Sequence, residues 1–118
     1  MPSLVGAAWV EAPRVGENGR VKAWDVVFAR RREFAVDMAG FALHVKEIFR
    51  VRNATFGSKC ARIYGVGPES CFLKQFGFKK EDAEPFGHDE SPKDILVWHT
   101  QTRRFKGSGP SRGFVIEI

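Results

Sequence analysis

The sequence predicts an α/β fold with a mixed sheet, one main helix and long loops. Apolar runs typical of strands lie near both ends of the chain, and a segment whose apolar residues recur at helical spacing lies between them. Stretches rich in glycine, proline and charged residues separate these elements. The chain has 118 residues and 43% hydrophobic content, which suits one domain with a modest core.

The first predicted element is a β-hairpin. Residues 3–12, SLVGAAWVEA, predict a strand that ends near Glu11, and residues 20–28, RVKAWDVVF, predict the returning strand. Pro13 and the segment Glu17 to Gly19 indicate the turn between them. The Asn-Gly pair in that segment readily adopts the positive φ that a tight hairpin loop requires.

The main helix is predicted to begin at Asp37. Six apolar residues after it recur at helical spacing, namely Met38, Phe41, Ala42, Val45, Ile48 and Phe49. Asp37 stands where an N-cap carboxylate can accept the free amide hydrogens of the first turn. Lys46 and Arg50 follow toward the negative end of the helix dipole.

The rest of the chain is predicted to contain more loop than regular structure. Residues 53–68 include three glycines and no clear period, which indicates a loop. Residues 69–76, ESCFLKQF, predict a short helix that begins near Glu69. Residues 79–92 are charged and interrupted by prolines, which favours a loop with at most one helical turn.

Two further strands are predicted near the carboxyl end. Residues 94–99, DILVWH, have the continuous apolar character of a buried strand. Residues 107–113, GSGPSRG, indicate a flexible stretch, and residues 114–118, FVIEI, predict a terminal strand.

Charge and composition restrict the classes of partner. The formal net charge of +5 raises the question of nucleic-acid binding, but the 19 basic residues are spread along the chain without a recognised nucleic-acid motif. We therefore expect no nucleic-acid partner, and a solvated surface or a site for small anions accounts for the charge. No apolar run reaches the roughly 18 residues of a membrane span.

Cys60 and Cys71 are the only cysteines. Two cysteines exclude a four-cysteine zinc site and allow one disulfide, whose redox state the sequence leaves open. Asn53 begins a formal N-glycosylation acceptor, which matters only in a secretory compartment.

Three segments resemble the animal β-1,3-glucuronosyltransferases in order and spacing. They are REFAVDMAGFAL at residues 32–43, ESCFLKQF at 69–76 and ILVWHTQT at 95–102, and LVGAAWVEAPRV at 4–15 resembles the family's preceding strand. The resemblance implies that residues 1–118 are the acceptor-binding, C-terminal part of a GT-A-like catalytic domain. The membrane anchor, the stem and the nucleotide-binding half precede this part in the family.

The family reaction is an inverting transfer of glucuronic acid from UDP-glucuronate to the 3-hydroxyl of a terminal galactose, on the proteoglycan linkage region or a related glycan. Such a reaction needs one carboxylate that takes the proton of the attacking hydroxyl. The resemblance assigns this catalytic role to Glu69. The alternative for Glu69 is an acidic residue in a first helical turn, where the dipole favours it without any catalytic role.

The resemblance also implies an acceptor site formed by Glu11, Phe28, Arg32 and Asp37. Carboxylates accept several hydrogen bonds and arginine donates several in a fixed plane, so these residue types suit sugar hydroxyls. Phe28 would give a sugar ring an apolar face. The non-functional alternatives are an edge-strand charge for Glu11, a solvated basic run for Arg32, a helix cap for Asp37 and core packing for Phe28.

On the donor side, the resemblance implies contacts from His99 and from the residue two positions later. The family has an arginine there and this chain has Gln101, which lacks the positive charge and weakens the expected donor site. Manganese is expected to be held by the preceding half, with no ligand in this chain, and we expect the isolated chain to be inactive. The alternative function is a non-catalytic carbohydrate-binding or interaction module left from a truncated transferase.

The resemblance further implies attachment to the Golgi membrane on its lumenal side. It also implies a homodimer contact through the C-terminal tail, residues 113–118, although an apolar tail can equally pack within its own chain.

Overall fold

A computed structural model describes residues 10–37, 40–64, 66–93 and 107–115. Its regular elements are strands β1 (Ala12–Val15) and β2 (Val21–Asp25), helices α1 (Val45–Arg50), α2 (Ser58–Tyr64) and α3 (Pro68–Lys74), and one 3₁₀ turn (Lys80–Asp82). The described part of the chain is therefore a small α/β arrangement. A two-stranded sheet and three short helices are joined by long loops.

The predicted hairpin is confirmed. Strands β1 and β2 pair in antiparallel orientation, with Ala12 opposite Asp25 and a bulge between Arg14 and Val15. Gly19 has a φ of 73°, the left-handed conformation that the Asn-Gly signal predicts. The Asn18 Oδ1 atom accepts a hydrogen bond from the Arg20 amide at 3.0 Å, which fixes the turn.

Both strands differ in length from their predictions. Strand β2 ends at Asp25 rather than at residue 28, since after Val26 the chain turns away from β1. Strand β1 runs from Ala12 to Val15, so it extends past Pro13, which was assigned to the turn. Proline is accepted in an edge strand such as this one. Most of the predicted first strand, residues 3–9, lies outside the described residues.

The prediction of a long helix capped by Asp37 is wrong. Helix α1 begins at Val45, and its N-cap is His44, whose Nδ1 atom accepts a hydrogen bond from the Lys46 amide at 3.1 Å. Residues 41–44 are not helical. The apolar spacing was compatible with a helix, but Ile48 and Phe49 are 43% and 70% exposed. Helices in proteins are stabilised mainly by packing of their apolar face. Helix α1 has no buried residue, so packing against the described part of the chain does not extend it.

The loop predicted for residues 53–68 is also wrong, because it contains helix α2. The sequence signal was weak, since α2 is only seven residues long and lies between glycines. A disulfide joins Cys60 on α2 to Cys71 on α3, with the two Cα atoms 6.1 Å apart. This covalent link holds α2 against α3 and is the one disulfide that two cysteines allow.

The short helix at ESCFLKQF is confirmed as α3, which begins one residue earlier, at Pro68. Proline suits the first helical position because its missing amide hydrogen would have no partner there. The predicted loop after α3 is confirmed as well, and its single helical turn is the 3₁₀ segment.

The core of the described residues is small and lies between β2, the segment around Phe34 and α3. Its buried apolar side chains are Val21, Val26, Phe34, Cys71, Leu73 and Phe76. Glu33 links two parts of this layer, because its carbonyl accepts a hydrogen bond from Trp24 Nε1 at 2.8 Å and its carboxylate accepts one from the Lys80 amide at 2.7 Å. The segment that follows β2 is thereby fixed between the sheet and the loop after α3.

The strand predicted at residues 94–99 lies outside the described residues, as do residues 116–118 of the predicted terminal strand. Phe114 and Val115, at the start of that segment, are not in a strand. Within the described ranges, no helix has the length and apolar character needed to cross a membrane.

Candidate functional site

Helix α3 positions Glu69. The N-cap of α3 is Gly67, Pro68 follows it, and Glu69 lies in the first turn, where the helix dipole favours a negative charge. A Cβ atom at Gly67 would lie 3.1 Å from Glu69 Oε2 and 3.2 Å from Arg32 Nη1. The missing side chain of Gly67 therefore leaves room for a carboxylate and a guanidinium on the same side of the helix start.

Arg32 is the centre of this group of side chains. Its guanidinium carbon lies 5.2 Å from the centroid of the Phe28 ring, a cation–π distance. Burial lowers the pKa of the Arg32 guanidinium from its ordinary value, while the negative charges of Glu11 and Glu69 act in the opposite direction. Arg32 thus lies within electrostatic reach of both carboxylates and on one aromatic face.

Glu11 is held by the backbone just before Phe28. Its Oε1 atom accepts a hydrogen bond from the Val27 amide at 2.8 Å. The contact brings the residue before β1 against the residues after β2. Phe28 itself is 37% exposed, so part of its surface is open to solvent.

A buried hydrogen bond joins the Arg32 segment to α3. The Oγ atom of Ser70 is fully buried and accepts a hydrogen bond from the Phe34 amide at 3.1 Å. Ser70 follows Glu69 directly, and Phe34 lies two positions after Arg32. The bond therefore fixes the backbone that carries the guanidinium relative to the backbone that carries the carboxylate.

We refer to Glu11, Phe28, Arg32 and Glu69 as the Arg32 cluster. The structure brings these four of the seven predicted site residues together. Asp37 is exposed, and its backbone carbonyl accepts a hydrogen bond from the Gly40 amide at 2.8 Å. His99 and Gln101 lie outside the described residues.

One nitrogen of the cluster is a hydrogen-bond donor without an acceptor among the described residues. Arg32 Nε is buried and has no hydrogen-bond partner within the described part of the chain. Buried guanidinium nitrogens are normally bonded, so Arg32 Nε is an exception to that rule. The cluster combines two carboxylates that accept hydrogen bonds, one guanidinium that donates them and one partly open aromatic ring.

The described residues contain no group of three histidine, cysteine, aspartate or glutamate side chains placed to hold a metal ion. Manganese, which the resemblance implies for the whole enzyme, therefore has no fitting ligand set among these residues.

The comparison with protein families identifies the class. The model of glycosyltransferase family 43 matches residues 3–103, which is most of the chain. The chain therefore belongs to glycosyltransferase family 43, as the sequence segments indicated.

The relatives found are glucuronosyltransferases by name. Galactosylgalactosylxylosylprotein 3-beta-glucuronosyltransferase sqv-8 of Caenorhabditis elegans is 33% identical over 108 residues, and the human enzyme 1 of the same name is 38% identical over 102 residues. The alignments cover 92% and 86% of this chain and 29% of each relative. Human enzyme 2 is 38% identical over 104 residues, with 86% and 29% coverage. The chain thus spans less than a third of the length of these relatives.

Two contributors to the cluster were missed at the level of the sequence. Gly67 was included in the predicted loop of residues 53–68, and Ser70 was not singled out. The signal for Gly67 was its place before Pro68 and Glu69, where a small residue lets a carboxylate fold back toward the helix start. Ser70 gave no comparable signal, because its partner Phe34 is distant in sequence.

Proposed function

We propose that this chain is the acceptor-binding and base-carrying part of a β-1,3-glucuronosyltransferase. The reaction is the transfer of glucuronic acid from UDP-glucuronate to the 3-hydroxyl of a terminal galactose, with inversion at the anomeric carbon. Membership of family 43 supports the reaction class. The observation that carries the site assignment is the Arg32 cluster, in which one guanidinium lies within reach of two carboxylates beside an open aromatic ring.

Glu69 is the proposed general base. A carboxylate oxygen of Glu69 takes the proton of the acceptor 3-hydroxyl while that oxygen forms a bond to the anomeric carbon. The bond from the anomeric carbon to the UDP oxygen breaks, and its electron pair leaves with UDP. A single base suffices, in contrast to the paired carboxylates of most glycosidases.

Helix α3 suits Glu69 to this role. The residue is half-buried at a helix start, so the carboxylate is both oriented and reachable. The Arg32 guanidinium lies on the same side of this helix start, where it can bind the acceptor that Glu69 deprotonates.

Arg32, Glu11 and Phe28 are proposed to bind and orient the acceptor. The Arg32 guanidinium, beside Phe28 and Glu69, supplies donors to sugar oxygens, and the remaining lone pairs of the Glu11 carboxylate accept from sugar hydroxyls. The exposed part of Phe28 offers an apolar surface to one face of the galactose ring. We assign Asp37 to the same acceptor site on the resemblance alone.

The donor side of the reaction is proposed to need residues outside the described ranges. His99 and Gln101 are assigned to it by resemblance, and manganese, which offsets the charge of the departing diphosphate, is assigned to the part of the enzyme that precedes this chain. We also propose, on the resemblance, that the whole enzyme is anchored in the Golgi membrane on its lumenal side. The same resemblance suggests a homodimer contact through residues 113–118.

The test is a chimera in which this chain replaces the matching C-terminal part of human enzyme 1. We expect manganese-dependent glucuronosyl transfer to galactosyl-galactose, and we expect Glu69→Gln to lower kcat by about 10²–10⁴-fold, the usual contribution of a general base. Glu84→Gln, an exposed glutamate in the loop after the 3₁₀ turn, is the matched control. A folded chimera in which Glu69→Gln retains the activity of the control would overturn the assignment of Glu69.

The role of Arg32 in acceptor binding is tested by comparison with Arg31, its neighbour in the sequence. Arg32→Ala should raise KM for the acceptor, whereas Arg31→Ala, an exposed change in the same basic run, should leave it unchanged. Equal effects of the two substitutions would mean that the run acts only through its total charge.

The second candidate function is a non-catalytic carbohydrate-binding module. It is favoured by the same cluster, which supplies acceptor contacts without any donor contact among the described residues. The chimera distinguishes the two, because both proposals predict that the isolated chain binds galactosyl-galactose, but only the transferase proposal predicts activity in the chimera. Turnover by the isolated chain itself would contradict the view that the donor site lies elsewhere.

A further inference from the structure

A concave region of the described surface shares no lining residue with the Arg32 cluster. It is a cavity of about 490 Å³ between β1, the end of β2 and the segments around residues 88–93 and 110–112. This volume is within the range of small-molecule sites. Its charged and titratable lining residues are Arg14, Asp25, His88, Lys93 and Arg112.

Asp25 is the only carboxylate among the described residues of this lining, and two arginines already bind it. Arg14 Nε donates to Asp25 Oδ2 at 3.3 Å and Arg14 Nη2 pairs with Oδ1, while Arg112 Nη1 donates to Oδ2 at 2.7 Å. The hydrogen bond from Arg14, followed by the charge of Arg112, lowers the pKa of the Asp25 carboxyl below its ordinary value. The Asp25 side chain is only 10% exposed, so it is largely occupied by these two partners.

The cavity therefore carries excess positive charge. Among the described lining residues, three basic side chains, Arg14, Lys93 and Arg112, outnumber the single carboxylate of Asp25, a formal excess of two positive charges. The Lys93 side chain runs along Gly113, and the Lys93 amide donates to the Gly113 carbonyl at 3.2 Å. The backbone of the segment that carries Lys93 is thereby fixed to the segment that carries Arg112.

Two buried nitrogens in the lining have no partner. His88 Nδ1 and Arg112 Nε are shielded from solvent and make no hydrogen bond within the described ranges. Arg112 also has a φ of 52°, a left-handed conformation that is uncommon for a residue with a side chain. The chain holds Arg112 in this conformation while its guanidinium faces the cavity and Asp25. Such strain is found mainly at binding and catalytic sites.

We propose that this cavity binds a small molecule through a phosphate or sulfate group. The oxyanion would be held by the positive charge of Lys93 and Arg112, and a guanidinium is a donor group of the kind that tetrahedral oxyanions accept. The cavity is larger than a bare oxyanion needs, which leaves space for a sugar-sized carrier beside it.

The test is a titration of the full 118-residue chain at low ionic strength with inorganic phosphate, inorganic sulfate, a hexose 6-phosphate and the unmodified hexose. We expect saturable binding of the three anions, followed by calorimetry or by chemical shifts of the residues at the cavity, and none of the neutral sugar. Tighter binding of the hexose phosphate than of phosphate identifies an ester as the ligand. The reverse order identifies the free anion.

Charge-removing variants locate the site. Lys93→Gln should weaken phosphate binding about three- to tenfold, the scale of one partly exposed charged hydrogen bond. Arg62→Gln, on the exposed side of α2, removes the same charge elsewhere and should have no effect. Arg112→Gln is the second variant. In this variant Asp25 still has Arg14 as its ion-pair partner. The proposal is overturned if no anion binds saturably, or if Arg62→Gln weakens binding as much as the cavity variants do.

Discussion

Ser70→Ala tests the hydrogen bond that joins the two halves of the Arg32 cluster. Ser70 is fully buried, and its Oγ atom accepts the Phe34 amide hydrogen at 3.1 Å. In the variant, the amide of Phe34 stays buried without an acceptor. The change in side-chain volume is small, so the main effect is the loss of this hydrogen bond.

The expected magnitude follows from that loss. A buried donor left without a partner costs about 1–3 kcal/mol. The better helix propensity of alanine in α3 offsets roughly 0.5 kcal/mol of this cost. We therefore expect the free energy of unfolding to fall by about 0.5–2.5 kcal/mol, compared with the roughly 5–15 kcal/mol that stabilises a small domain.

The assay is urea denaturation followed by circular dichroism. With a slope of about 2 kcal/mol per molar urea, the midpoint should fall by about 0.3–1.3 M. Ser111→Ala, at an exposed position of the loop near the carboxyl end, is the control and should leave the midpoint unchanged. A Ser70→Ala midpoint equal to that of the control would refute the reasoning. It would show that the hydrogen bond from the Phe34 amide to the Ser70 hydroxyl does not contribute to the free energy of unfolding.

Three further outcomes are expected. Cys60→Ser should lower the free energy of unfolding by about 3 kcal/mol, because the disulfide to Cys71 closes a loop with a sequence separation of 11, and reduction of the native chain should match it. Asp25→Asn should destabilise the chain at pH 7 and less so near pH 3, as seen by urea midpoints at both pH values. Gly19→Ala should cost about 1–2 kcal/mol, since its φ is 73°, whereas Gly57→Ala, whose added methyl group also meets open space, should not destabilise.

The sign of the Asp25 prediction follows from its lowered pKa. A carboxyl whose folded pKa lies below its unfolded value of about 3.9 contributes stability that is complete above that value. The contribution disappears as the pH falls through the folded pKa. A pH-independent difference between the native chain and Asp25→Asn would show that the arginine contacts do not stabilise the ionised form.

The hairpin and α3 were predictable because their signals are local. The Asn-Gly pair favours a positive φ at Gly19 because glycine adopts it readily. Pro68 favours the start of a helix because its fixed φ suits the first helical position. The predicted helix from Asp37 failed because apolar spacing states only which residues can share a face. Whether that face is buried depends on distant parts of the chain, and Phe49 remains exposed in α1.

Helix α2 shows the opposite error. Its seven residues lie between glycines and carry no strong helical period, so the sequence indicated a loop. The disulfide from Cys60 to Cys71 and the packing of α2 on α3 supply a tertiary constraint that a seven-residue helix lacks by itself.

The sequence alone determined the family and the residue types of the candidate site, because segments such as residues 32–43 and 69–76 keep a specific order along the chain. Only the tertiary structure decided which of these residues meet. Arg32 approaches Glu11 and Glu69 because Ser70 holds the Phe34 backbone against α3 and because Glu11 binds the Val27 amide. Contacts between residues far apart in sequence depend on packing and buried hydrogen bonds, which leave no periodic signal in the chain itself.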